Sequence, residues 1–360
     1  MKIAHFIVNL GAGGGQRSTI DLIRSTSDKV DNYLILLENK RAYEVNDIKT
    51  FSLCKKRKIY KQLDILGDYL LSKKLNKLLK ELQIDIVISH MEATAKVLRF
   101  IDLPKIYYMR VDIAQELQSF KERSLLRYKK RKNLYKKIFD NQNLITISKD
   151  TENNLLSFIH PKNIQTIYNP FDLERIIDLS NETSVLPNEE YLIQIGSDFK
   201  RKRQDILLEA FSKIKNKKIK LLLLGTEENK QILELIKRLG ITKERIIFQP
   251  FAVNPYPFIK NAKTLVMSSE REGLPRVIVE SLILKTPVVS TDCDTGPREI
   301  LVDELKEFLA KVNDSDDLTK KIDLALARYP EITDKYTKKF DKNEIIKKYL
   351  FFIKHAIQQD

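Results

Sequence analysis

Short apolar runs alternate along this chain with longer stretches in which apolar residues recur every three or four positions. Residues 2–10 form the first apolar run, and it passes straight into glycines. NYLILLE (Asn32 to Glu38), IDIVISH (Ile84 to His90) and KIYYMRVD (Lys105 to Asp112) follow, and then a run opening at Leu144. After a polar interval come runs opening at Tyr191 and at Ile219, then Arg245 to Phe251 and Pro287 to Thr291. Runs apolar on both faces predict buried strands of parallel sheets. The intervening stretches carry the helical repeat: Gln16 to Ile23, Ile65 to Leu82, residues 230–239 and the tail Asn343 to Gln359. Strand and helix in strict alternation predict an α/β chain with parallel sheets.

The rhythm breaks once. Residues 177–190 (IDLSNETSVLPNEE) are largely polar and carry a proline, which predicts a linker between two α/β halves, 1–176 and 177–342. A length of 360 residues suits two domains, and an apolar share of 42 % is enough to build their cores. No apolar run is long enough for a transmembrane helix. The opening MKIAHFIVNL has too short an apolar segment, and no small-residue cleavage site, for a secretory signal. Two cysteines, Cys54 and Cys293, supply neither a disulfide framework nor a zinc spacing, so a reducing cytoplasm is expected.

Charge adds a partner class. The chain carries a formal net charge of +15, which points to anionic partners: nucleic acid, anionic lipid or phosphorylated substrates. The densest cluster, Lys121 to Phe139, holds nine basic residues and one acid, interleaved with Leu125, Leu126, Tyr128, Leu134, Tyr135, Ile138 and Phe139. That pattern fits an anionic membrane surface, and equally a helix packed on its own domain with a charged outer face. No nucleic-acid reading module is present, so nucleic acid is not expected as a partner.

Candidate chemistry gathers at loops that follow predicted strands. In Ser268 to Leu301, Glu272 is followed by Gly273, Leu274 and Pro275, a helix opens near Arg276, and Glu280 lies two turns along it. The first amides of such a helix, with its dipole, favour an anion such as a diphosphate. Gly11 to Gly15, then Gln16 and Arg17, form a strand–glycine–helix unit where backbone can approach a phosphate. It lacks the full dinucleotide spacing, because Ser18 stands where a third glycine would be. His90 ends one predicted strand and Asp112 ends the next, so both are candidates for a crevice at strand carboxyl ends, His90 equally as a hydrogen-bonded structural histidine. After the strand at Tyr191, Gly196 precedes Lys200, Arg201, Lys202 and Arg203. Four cations there fit a phosphate or a solvated loop.

The strings EGLPRVIVE (Glu272 to Glu280) and PVVSTDCDTGPREIL (Pro287 to Leu301) resemble the donor-site signature of glycosyltransferase family 4, and the resemblance extends more weakly to the whole chain. It implies the GT-B arrangement: two Rossmann-like domains with parallel sheets and an interdomain cleft, and a final helix, 343–360, returning to the first domain. It implies a retaining transferase moving a hexose or N-acetylhexosamine from a nucleoside-diphosphate sugar, UDP-linked by expectation, to a lipid-linked or surface glycan. It assigns Glu272 to sugar hydroxyls and Glu280 to ribose. It places Gly14, Gly15, Arg17, Ser197, Lys202, Gly273, Leu274 and Arg276 around the nucleotide sugar. Ser197 stands where the family's phosphate-binding arginine is usual, and Arg110, Val111 and Asp112 where an acceptor-side histidine is usual, leaving His90 and Asp112 as substitutes. These departures keep open a non-catalytic relative that binds a nucleotide sugar beside another transferase. Asp292-Cys293-Asp294 matches the D-x-D metal motif of other transferases, but the resemblance implies a metal-independent reaction with no cofactor. A peripheral enzyme at the inner face of the plasma membrane is the corresponding location.

Overall fold

The computed structural model describes residues 1–11, 13–196 and 199–359. The chain forms two compact units, Met1–Phe171 with Lys342–Asp360, and Asp172–Asp341.

The first unit is built on seven parallel strands: β1 (Lys2–Ile7), β2 (Asp31–Glu38), β3 (Lys49–Cys54), β4 (Ile86–Ser89), β5 (Lys105–Met109), β6 (Asn143–Thr146) and β7 (Asn163–Thr166). Their spatial order is β3-β2-β1-β4-β5-β6-β7. The order reverses between β1 and β4, the position at which ligands bind beyond the strand carboxyl ends in open α/β sheets. Phe6 pairs with Ile35 on one side and Ser89 on the other, so β1, β2 and β4 end level. One sheet face packs on helix Asp64–Leu82, through Leu71, Leu75 and Leu79, and on helix Leu125–Phe139; the other packs on helix Gly14–Thr26 through Ile20 and Ile23. The last helix, Lys342–Gln359, packs on β5 and on helix Gly14–Thr26, with Tyr349 stacked against Tyr108.

The second unit holds six parallel strands: β8 (Tyr191–Ile195), β9 (Lys220–Leu224), β10 (Ile246–Gln249), β11 (Thr264–Met267), β12 (Val288–Thr291) and β13 (Leu309–Ala310), in the order β10-β9-β8-β11-β12-β13. Its reversal lies between β8 and β11. The loops after those two strands therefore share one edge.

Two expectations are corrected. Residues 177–190 are not all linker: helix Leu173–Ser180 reaches into them, capped by Asp172 and packed on helices Tyr256–Lys260 and Arg276–Ile283 of the second unit. The polar composition hid it, since only Ile176 and Ser180 are buried. The basic stretch Lys121 to Phe139 is also no single amphipathic surface helix. Ser124 breaks it, ending helix Ile113–Arg123 and capping helix Leu125–Phe139. Tyr128, Leu134, Tyr135, Ile138 and Phe139 then face the unit's own core, and Leu125 and Leu126 stay exposed.

Candidate active site

In the second unit, a glycine and a ring of short hydrogen bonds build the edge. β8 ends at Gly196, whose φ of +132° favours glycine, and a Cβ there would lie 3.0 Å from Lys202 Cε. Ser197, expected near the diphosphate, lies outside the described residues. Lys202 precedes helix Gln204–Lys213 on a loop latched to the one after β11: Ser268 Oγ donates to the Lys202 carbonyl at 2.7 Å, and Glu270 N to the Arg201 carbonyl at 3.3 Å.

That latch brings Lys202 Nζ to Glu272 Oε1 at 2.7 Å, and Ser269 Oγ donates to the same oxygen at 2.8 Å. Both ionic side chains are about one-tenth exposed. Burial pushes the Glu272 carboxyl up, but the charges of Lys202 and Arg201, with the bonds from Lys202 and Ser269, outweigh it and hold the group below its ordinary range. Glu272 is thus a buried, ionised carboxylate. Thr295 Oγ1 donates to its backbone carbonyl, and Gly296, at φ +93°, lies so close that a Cβ would meet Gly273 O at 2.5 Å. The loops after β11 and β12 are thereby locked together, and Gly273 and Leu274 are held between them.

Helix Arg276–Ile283 follows. Pro275 is its N-cap, and no side chain among the described residues caps it. The Glu280 carboxylate, nearly buried, accepts from Arg276 Nη2 at 3.1 Å, and Tyr256 Oη lies 3.5 Å from the same oxygen. The sequence placed Arg276 and Glu280 as separate ligands; one helical turn apart, they form an ion pair. Asp292 pairs with Arg298 at 3.0 Å, Asp294 is exposed, and Cys293 between them is buried, its thiol pushed up to about 12 by burial, Glu272 and the flanking aspartates.

In the first unit, the glycine loop opens helix Gly14–Thr26 from Gly13. Ser18 Oγ and Thr19 Oγ1 turn back to the carbonyls of Gly14 and Gly15, and Arg17 N closes the first turn on Gly13. A Cβ on Gly15 would sit 3.8 Å from Arg110 Cδ and 3.9 Å from Met91 Cε, ordinary contacts. Among the described residues, nothing in this unit's packing meets a Cβ at Gly15 closer than ordinary contact.

Beside Gly15 lies a polar chain that the apolar reading of residues 2–10 hid. Arg110 Nε donates to His90 Nδ1 at 3.1 Å, His90 Nε2 meets His5 Nδ1 at 3.0 Å, and His5 Nε2 meets Asn32 Oδ1 at 3.0 Å. An arginine only donates, so His90 accepts at Nδ1 and carries its proton on Nε2. His5 then accepts at Nδ1 and donates from Nε2 to Asn32. The Asn32 amide nitrogen donates to Ile23 O and Thr26 Oγ1, which agrees with its oxygen being the acceptor. Both rings are neutral and single-tautomer. Burial, then Arg110, lowers His90 well below its ordinary value; burial, partly offset by Asn32, brings His5 to about 4. Arg110 Nη1 also donates to Asn169 at 2.6 Å, and the guanidinium lies over the Tyr108 ring. The sequence signal was a histidine in a central apolar strand; Asn32, near the start of the neighbouring strand, lies level with Ile3, two residues before it.

This geometry also shows what engages two candidate catalytic residues. His90 is wholly buried, and both ring nitrogens are engaged. Asp112 is the N-cap of helix Ile113–Arg123: Oδ1 accepts from the Ala114 and Gln115 amides and Oδ2 from Asn154. Arg110 is the half-buried group between them in sequence.

Comparison with known proteins agrees with the architecture. Residues 12–175 match the profile of Glycosyltransferase Family 4, and residues 177–344 that of Glycosyl transferases group 1. The chain is 26 % identical over 336 residues, 88 % of each chain, to the N-acetylgalactosamine-N,N'-diacetylbacillosaminyl-diphospho-undecaprenol 4-alpha-N-acetylgalactosaminyltransferase of Campylobacter jejuni. It is 23 % identical, over 78 % of each chain, to the capsular polysaccharide biosynthesis glycosyltransferase CapH of Staphylococcus aureus. The solved structure of Anabaena Alr3699/HepE in complex with UDP and glucose superposes with a TM-score of 0.69 at 17 % identity, covering 100 % of this chain and 98 % of that one.

Proposed function

We propose that this chain, which belongs to glycosyltransferase family 4 and is a glycosyltransferase of GT-B architecture, moves a hexose or N-acetylhexosamine from a UDP-sugar to a lipid-linked or surface glycan, with retention of configuration. The observation that carries the reading is the pair of buried glutamate–cation contacts on one sheet edge, Lys202–Glu272 and Arg276–Glu280. Each named contact uses Oε1, and a carboxylate has a second oxygen with which to accept from a sugar diol. We assign Glu280 to the ribose hydroxyls and Glu272 to those of the donor sugar. Lys202, Arg276 and the first amides of helix Arg276–Ile283 meet the charge that develops on the departing diphosphate. On the first unit, Gly14 and Gly15 give backbone approach to a phosphoryl oxygen, with Arg17 on the same turn.

The reading is metal-independent: cations and amides supply the positive charge, and Asp292 of the D-x-D string is engaged by Arg298. The Campylobacter relative, named for a diphospho-undecaprenol substrate, supports a lipid-linked acceptor and a peripheral place at the inner face of the plasma membrane. No helix among the described residues is long and apolar enough to cross a membrane.

The test is incubation of the protein with single UDP-hexoses and UDP-N-acetylhexosamines plus a glycolipid extract, with and without EDTA. Nuclear magnetic resonance then assigns the product anomer. One donor should give an α-linked product at the same rate in EDTA. Binding without transfer for every donor would return the chain to a non-catalytic nucleotide-sugar binder. An inverted anomer would overturn retention.

A further inference from the structure

The basic helix Leu125–Phe139 buries most of its apolar side, yet the first unit exposes a larger apolar face elsewhere. Helices Lys58–Gln62 and Asp64–Leu82 form a tight corner. Asp64 sits at φ +45°, and a Cβ on Gly67 would lie 1.9 Å from Tyr60 O, so the two helices touch backbone to backbone there. The corner turns one face of the longer helix into the core and the other to solvent. Ile59 and Leu63 of the short helix and its turn are exposed, with Ile65, Leu66, Tyr69 and Leu70 of the long one. Ile59 is 69 % exposed, Ile65 60 % and Leu66 55 %. On the long helix these occupy i, i+1, i+4 and i+5, a single stripe. Phe100, also exposed, extends it by packing edge-on against Tyr69. Soluble surfaces seldom gather so many large apolar side chains in one place.

Charge identifies the occupant. Lys55, Lys56, Lys58 and Lys61 lie exposed along the short helix and the residues before it, and Lys73 and Lys74 on the long one. Lys73 leans over the Tyr69 ring and Lys74 over that of Tyr60, stems along the apolar surface and ammonium groups at its rim. Asp64 is the exposed acid between Lys55 and Lys74. An apolar stripe rimmed by lysines matches a bilayer interface of acyl chains beneath anionic headgroups.

We propose that the corner of helices Lys58–Gln62 and Asp64–Leu82 is the membrane-docking surface of this protein, inserting its stripe into an anionic bilayer. The proposal rests on the peripheral reading above and moves the contact away from Lys121 to Phe139, where the sequence put it.

Flotation with vesicles of phosphatidylcholine alone, or with added phosphatidylglycerol, tests it. The full chain should float with the anionic vesicles only. Replacing Lys56, Lys58 and Lys61 by Ser should lower partition on the order of a hundredfold. The triple change Leu63, Leu66 and Leu70→Ser, at exposed positions, should lower it at least as much. Changing Lys129, Lys130 and Lys132 of the basic helix to Ser should leave it within a few-fold. Transfer to an acceptor in detergent should be unchanged in all three variants; a parental chain that floats but transfers to no acceptor would count against the enzymatic reading and not this surface. Three results would overturn the proposal: wild-type flotation by both corner variants, loss confined to the basic-helix variant, or self-association of the chain through the stripe in sedimentation.

Discussion

Two buried polar pairs face the strand carboxyl ends of the two units, and they manage burial in opposite ways. On the second unit, Glu272 stays ionised because Lys202 lies 2.7 Å away. On the first, His5 and His90 give up their protons and pass a single hydrogen-bond polarity from Arg110 to Asn32. A buried charge persists only where an opposite charge compensates it; where the neighbour is Arg110, neutrality is the stable state. The ionic edge is therefore equipped to meet anions and diols. The neutral relay is equipped to hold one guanidinium in one orientation.

The sharpest way to break the comparison is to remove one member of the ionic pair. Glu272→Ala leaves Lys202 buried beside Ser269 without its carboxylate. Loss of a buried partner costs about 3–5 kcal/mol. Urea unfolding should show it as an earlier transition of the second unit, with the first unit unmoved. Equal midpoints would mean that water already solvates Lys202.

The neutral pair should answer to pH in its own window. Folding keeps both histidines below the ordinary value of 6.5, so the unfolded chain binds protons that the folded one refuses. Their contribution is complete above pH 6.5 and is lost as pH falls; for His5 the loss runs down to about 4 and amounts to about 3 kcal/mol. Glu272, held below its ordinary 4.5, is stabilising above that value and loses its contribution only at lower pH. The first unit should therefore weaken from pH 6.5 downward, and Glu272 should add its own loss only below 4.5. A His5→Gln variant should flatten that slope. A slope unchanged by the substitution would remove the histidines as its cause.

These two edges were not equally legible in the sequence. The strand–helix alternation was, because parallel strands are apolar on both faces, and the glycines and cations after each strand placed the loops. Glu272, Lys202 and the glycine loop were marked for the same reason: special residues at strand ends. The Arg276–Glu280 pairing sat at a helical i,i+4 spacing that was open to reading. The relay was not so visible, because it joins residues far apart in the chain, from β1, β2 and the ends of β4 and β5, and His5 hides inside an apolar run. The cap made by Asp112 and the core hydrogen bonds of His90 were not legible, since position at a strand end does not tell a helix cap or a core hydrogen bond from a ligand. The exposed corner was missed because leucines at helical spacing look alike whether they face the core or the solvent; Gly67 and its contact with Tyr60 decide which.

A smaller effect concerns Gly15. Packing within the first unit tolerates a Cβ there, so Gly15→Val should fold with a near-parental melting temperature. If the space serves a substrate, transfer should fall by about a hundredfold, as misplacement of roughly an ångström does, while UDP affinity changes little. Transfer at the parental rate would make the glycine loop purely structural.

The central claim is that the ionic edge of the second unit holds the nucleotide. Calorimetric titration of UDP into the parental protein and into Glu280→Ala tests it most directly. Loss of charge-assisted bonds to ribose should weaken binding by about 1.5–3 kcal/mol, roughly ten- to a hundredfold in affinity, in a variant whose unfolding transitions are intact. The same UDP affinity in both proteins would contradict the assignment of Glu280 to ribose and, with it, the place of the donor on this edge.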